Sequence, residues 1–97
     1  MRLLTFHEEA GVEVNEAATY YEERMPGLGV LFLGALEGAV QTILAHPEAY
    51  QLVGSEIRRY LVRRFPYSLL YVVESDRIRV LAVAHQKRRP GYWRTRL

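Results

Sequence analysis

No cysteine occurs among the 97 residues. That excludes a disulfide framework, a thiolate nucleophile and a thiolate metal site. No stretch approaches the roughly 18 to 20 consecutive apolar residues that a bilayer span needs. The opening MRLLTF carries one Arg and too short an apolar run for a secretory signal, so the expected compartment is the reducing cytoplasm. No glycine-rich loop follows a strand-like run, which removes the phosphate-cradling nucleotide motif. The three histidines, His7, His46 and His85, fall on three separate segments with no ligand spacing, so neither a metal nor a cofactor is expected. No serine stands in a nucleophile-elbow setting, and no small-molecule substrate is indicated.

Basic residues are scarce in the first half and crowded in the second. Residues 1–48 hold Arg2 and Arg24 against eight acidic side chains, a balance of −6, whereas residues 49–97 hold eleven basic against three acidic, a balance of +8. The net charge of +2 conceals this division. Two readings follow: the halves neutralise each other across one fold, or the second half meets a polyanion or an acidic protein.

About 100 residues allow a single domain with a modest core, here residues 1–97. Residues 1–6 are long enough for one strand, and Thr5 with Glu8 has the spacing of a capping box. From Glu8 to about Arg24, Ala10, Val14, Ala17, Ala18, Tyr21 and Met25 form a helical stripe, with six glutamates on the remaining surface. Pro26-Gly27 breaks that helix. A second, from about Gly29 to Ala45, has Glu37 as its one charge, which predicts burial on more than one side. Beyond Pro47, three runs rich in Val, Ile, Leu, Tyr and Arg (57–65, 67–74 and 77–85) read as strands whose short connections demand antiparallel pairing. The expected architecture is α+β: an N-terminal strand and an antiparallel helical hairpin packed on a small, mostly antiparallel sheet. Pro90-Gly91 ends the sheet, and the last six residues form a short helix or a loose tail.

Two stretches carry candidate chemistry. In IRRYLVRRFPY, strand parity puts Arg59 and Arg63 on one face and Arg58 and Arg64 on the other. Such density serves either an open concave surface or an edge strand protected from aggregation by charge. Phe65 and Tyr67 suit packing better than base stacking. In HQKRRPGYW, His85 precedes Lys87, Arg88 and Arg89. An imidazole of near-neutral pKa beside cations can move a proton and stabilise a phosphate, while Tyr92 and Trp93 can stack on bases or close a core. The partner is either nucleic acid or protein.

Across almost its whole length the chain resembles the RelE/ParE superfamily of type II toxin–antitoxin toxins. The resemblance lies in EAATYYEERMPGLGVLFLGALE, ILAHPEAY, IRRYLVRRFPYSLLYVV and IRVLAVAHQKRRPGYW, and the ending His85, Arg88, Pro90, Trp93 is most similar to the ParE branch. It implies a helical hairpin on an antiparallel sheet and a cytoplasmic growth inhibitor neutralised by a cognate antitoxin. RelE-like members cut messenger RNA on the ribosome, whereas ParE-like members poison DNA gyrase. Where a cleaving relative holds charge, this chain has Ser68 after Tyr67, and Leu61 two positions beyond Arg59; Trp93 falls near a C-terminal tyrosine. The first expectation is therefore gyrase inhibition through Arg58, Arg64, Arg88, Arg89, Tyr92 and Trp93. The alternative is ribosome-dependent RNA cleavage by Arg59, Arg63, His85, Lys87, Arg88 and Tyr92. The antitoxin is expected to wrap the toxin with an acidic amphipathic segment, as a helix in a groove or an added strand. A rival class is a non-toxic RNA-binding module with steeply salt-dependent affinity.

Overall fold

The computed structural model describes residues 3–97. Strand β1 (Leu3–Phe6) leads into helices α1 (Glu8–Arg24) and α2 (Leu28–Ala45), which are followed by strands β2 (Gln51–Leu52), β3 (Ile57–Leu61), β4 (Tyr67–Val73) and β5 (Arg77–His85) and a 3-10 turn at Arg94–Arg96. The five strands form one sheet in the order β1-β5-β4-β3-β2. Only β1 pairs in parallel, with Leu3 opposite Arg77 and Phe6 opposite Val80. The helical hairpin thus carries the chain from one edge of the sheet to the other. This is the expected α+β architecture, with β2 as a short addition whose two residues are too few to show a period.

The first helix does not start with the expected capping box. Pairing with Arg79 holds Thr5 in β1, and its buried hydroxyl finds no partner. His7 caps instead: its Nδ1 accepts the Glu9 amide at 3.0 Å, satisfying one orphan donor of the first turn. At the other end Met25 is extended and Gly27 adopts φ 92°, a conformation that favours glycine. The Glu22 carboxylate then accepts from the amides of Gly27 (2.8 Å) and Gly29 (3.0 Å), placing a negative charge at the positive end of α2. A Cβ at Gly29 would stand 2.6 Å from the Ala18 carbonyl oxygen, so the tight crossing of the two helices depends on that glycine.

Two cores lie on opposite faces of the sheet. The larger packs Ala10 and Ala17 of α1 and Phe32, Leu36, Ala39 and Ile43 of α2 onto Leu69, Tyr71, Ile78, Val80 and Val83. Tyr21, Phe32, Phe65 and Tyr67 close one end of it, with centroids 5.1 to 6.3 Å apart and mostly edge to face. The smaller packs Ile57, Leu70, Val72, Leu81, Ala82 and Ala84 under Trp93. Because β5 is covered on both faces, it reads as an unbroken apolar run. Its register passes from Val80 opposite Tyr71 to Ala82 opposite Leu70, leaving Leu81 as the extra residue of a bulge.

Two expectations are corrected. α2 is covered on one face, not several: Phe32, Leu36, Ala39 and Ile43 face the core, while Val30 (69% exposed) and Leu31 (63%) face outward. Its 18 residues, at mean hydropathy 1.7, are also long and apolar enough to cross a bilayer by length and composition, a test that core helices meet as well. Second, β3 stops at Leu61 rather than Phe65. The Val62 amide donates to the Tyr67 carbonyl, and Arg64 takes φ 72° in the turn between them. Pro66 has no amide to extend the ladder, so Arg63 and Arg64 leave the sheet and the strand parity expected for them does not apply.

Candidate functional site

On the face of the sheet away from the helices, the chain after Pro90-Gly91 turns back and covers only part of the surface. Trp93, 7% exposed, seals the smaller core. Between this segment and β3–β4 lies a cleft of about 440 Å³. Arg59 and Leu61 of β3 and Ser68 and Leu70 of β4 form one side, and Arg88, Arg89, Tyr92 and Arg94 the other. Parity explains the first set. Residues 57, 59 and 61 of β3 point to this face, and so do 68, 70 and 72 of β4, opposite the helix-facing Leu69 and Tyr71.

The cleft is cationic. Among the described residues no Asp or Glu lines it, and Arg88, Arg89 and Arg94 form no ion pair. Arg59 has only the neutral Gln51 amide oxygen, at 3.1 Å. The Arg88 guanidinium stacks 4.0 Å from the centre of the Tyr92 ring, which fixes its plane while leaving N–H groups free. Gly91, at φ 79°, lets Arg94 lie against the backbone: a Cβ there would meet Arg94 Nε at 3.2 Å.

A clasp from α1 holds the returning segment. Glu13 Oε1 accepts the Val83 amide (2.9 Å) and Arg96 Nη1 (3.0 Å), while Oε2 accepts the Tyr92 hydroxyl (2.7 Å) and Arg96 Nη2 (3.1 Å). The two charged side chains are 11% and 9% exposed, so the pair works in a poorly hydrated setting where charge-assisted bonds are strong. Burial, then the bond to Glu13, pushes the Tyr92 phenol above the usual tyrosine pKa. Arg79 completes the attachment by donating to the carbonyl oxygens of Arg96 and Leu97.

The structure therefore divides the residues singled out in the sequence. Arg59, His85, Arg88, Arg89, Tyr92 and Trp93 border one cleft, whereas Arg58, Arg63, Arg64 and Lys87 do not. Arg58 points to the helix side and donates to the carbonyls of Glu48 and Tyr50, tying β3 to the segment after α2. The His85 ring packs edge-on against Tyr67 at 5.1 Å, on the helix side of the sheet. Its Nδ1 accepts the Lys87 amide at 3.0 Å, so a neutral ring carries its proton on Nε2. Glu13, assigned in the sequence to the solvated surface of the first helix, is instead the anchor of the site. The signal was present: it lies three residues after Ala10 and four before Ala17, within the apolar stripe. Ser68 was noted for the charge it lacks, and its place at the floor of the cleft needed the strand's orientation.

Fold and cleft together define a small α+β protein with a cationic cleft on the face of its sheet away from the helices. The sequence profile described as "ParE toxin of type II toxin-antitoxin system, parDE" matches residues 4–90, and the chain belongs to that family. Among solved structures it is similar to a chain of the "Chromosomal ParDE TA system from P. aeruginosa", with a TM-score of 0.76 and 17% identity over 88% of this chain and 96% of that one. At this identity the likeness is one of fold. No curated protein sequence matches. Tyr92, Trp93 and Arg94, one wall of the cleft, lie beyond the matched stretch.

Proposed function

We propose that this toxin arrests bacterial growth in the cytoplasm by inhibiting DNA gyrase, and that a cognate antitoxin neutralises it. The observation that carries the reading is a cleft rich in binding groups and poor in proton-transfer groups. The Tyr92 hydroxyl is committed to Glu13 and is a weaker acid than a free tyrosine. His85 lies at the rim with its ring on the helix side, and the cleft is lined by Ser68 and Leu61, where the resemblance to RelE-like toxins implies charge in a cleaving relative. Arg88 and Arg89 stand exposed beside the cleft as contacts for an acidic protein surface.

The antitoxin's docking is supported by two features of unlike chemistry. The unpaired arginines suit an acidic segment, and the exposed apolar side of α2, with Val30, Leu31 and Leu33, suits the apolar side of an amphipathic helix. Ribosome-dependent RNA cleavage stays as the second reading because Arg59, Arg88 and His85 border the same cleft.

Induction of the chain without its antitoxin is expected to stop growth, and the purified toxin to inhibit gyrase supercoiling without cutting ribosome-bound messenger RNA. Cleavage without gyrase inhibition would reverse the order of the two mechanisms, and undelayed growth with folded toxin present would reject both. The residues to substitute are Arg88 and Arg89. Truncating Trp93 would empty the smaller core, at about 3–5 kcal/mol, and confuse binding with unfolding.

A further inference from the structure

Folding neutralises some of the arginines of this chain and leaves a cluster of others without a counter-ion. Arg77 and Arg79 share Glu74, and Arg96 is paired with Glu13. Arg59, Arg88, Arg89 and Arg94 line one cleft with no carboxylate among its described neighbours. Four guanidiniums around one cavity repel one another and are relieved only by water or a bound anion. At the floor, Ser68, 6% exposed, lines the cleft and carries a hydroxyl that can donate to an anion.

Size and charge narrow the ligand. The cleft, about 440 Å³, falls in the roughly 300–1,000 Å³ range of small-molecule sites. One carboxylate would leave most of the cationic charge unmatched, whereas a chain of two or three phosphates matches it and offers the geometry that guanidinium forks bind in pairs. Val53, Leu61 and Leu70 give the cleft an apolar wall. Arg63, Arg64 and Lys87, which an extended strand would also use, lie outside it.

We propose that the cleft is a binding site for a nucleoside di- or triphosphate, with its phosphates held by Arg59, Arg88, Arg89, Arg94 and the Ser68 hydroxyl and its apolar part against Leu61. No bond is made or broken, and the glycine-rich cradle absent from the sequence is replaced by side chains. The site shares Arg88 and Arg89 with the gyrase reading, but nucleotide binding is measured on the isolated toxin and stands or falls apart from gyrase inhibition.

Calorimetric titration of the full purified chain with ATP, ADP, adenosine and a ten-nucleotide single-stranded DNA, at about 0.15 M salt, tests it. ATP and ADP are expected to bind one to one and adenosine not to bind. Ser68→Ala, which keeps the backbone and the core, and Arg94→Gln, at an exposed position, are each expected to weaken ATP binding about tenfold. Arg63→Gln, on the turn outside the cleft, is expected to leave it unchanged. Absence of ATP binding would overturn the proposal. So would tight binding of the DNA with none of ATP, which would mean an extended strand site. Equal losses in Arg63→Gln and Arg94→Gln would show general charge attraction and overturn it too, as would unchanged affinity in both cleft variants.

Discussion

Replacing Glu13 by Gln tests whether one buried carboxylate organises the whole cleft side of this toxin. The change keeps shape and removes charge. In the native protein the carboxylate takes four hydrogen bonds, from the Val83 amide, the Tyr92 hydroxyl and two Arg96 nitrogens. Glutamine keeps one acceptor oxygen but turns an amide N–H₂ toward groups that also donate. Arg96 is left as a buried charge, with the Leu81 carbonyl at 3.0 Å and the exposed Glu9 at 3.9 Å as its remaining partners. Breaking a buried pair by removing one partner costs about 3–5 kcal/mol, and the surviving partners of Arg96 place this case near the lower end, about 3 kcal/mol. Total stabilities run at about 5–15 kcal/mol, so the loss is a large share. For a chain of this size it lowers the melting midpoint by about 12 °C or more. Urea unfolding followed by far-UV circular dichroism gives the free energy, and Trp93 emission reports the returning segment. Glu13→Gln with Arg96→Met, which removes the orphaned charge, is expected to recover part of the loss, as coupled neighbours do. A loss below about 1 kcal/mol, within the effect of an ordinary surface substitution or small hydrogen-bond change, together with unshifted Trp93 emission would refute the clasp.

Other perturbations test the fold and its titration. Gly29→Ala places a Cβ against the Ala18 carbonyl oxygen; thermal unfolding is expected to show a loss of about 1–3 kcal/mol, whereas Gly34→Ala, where a Cβ meets open space, is expected to be neutral or stabilising by up to about 1 kcal/mol. Burial pushes the Tyr71 phenol up to about 12 from 10.0, and its hydroxyl donates to the Pro47 carbonyl at 2.7 Å. A folded pKa above the unfolded one gives stability that is complete below pH 10 and lost as pH rises toward 12. Urea midpoints measured across that window are expected to fall more steeply for the native chain than for Tyr71→Phe, and equal slopes would remove Tyr71 from the account.

Much of the architecture was legible because it follows local rules. The apolar spacing of Ala10, Val14, Ala17 and Tyr21, the Pro26-Gly27 break and the alternating runs after Pro47 dictate helix, helix and strands in that order. The extent of β3 was not legible. Alternation in IRRYLVRRFPY continues past Leu61, and only the pairing of Val62 with Tyr67 and the φ of 72° at Arg64 end the strand. For the same reason the four arginines of that stretch divide unexpectedly, with Arg59 in the cleft, Arg58 on backbone carbonyls and Arg63 and Arg64 on the turn.

The sequence by itself determined the elements, the excess of positive charge in the second half and the membership in the toxin family, since these rest on period, composition and motif. Tertiary structure decided which charges are available. An arginine is identical in sequence whether it is spent on Glu13 and Glu74 or left facing a cleft, and that distinction arises from contacts such as Arg96 with Glu13, 83 residues apart along the chain. The segment HQKRRPGYW accordingly has two roles. Trp93 and the Tyr92 hydroxyl fasten it to the sheet and to α1, and Arg88 and Arg89 remain exposed, with no ion pair among the described residues.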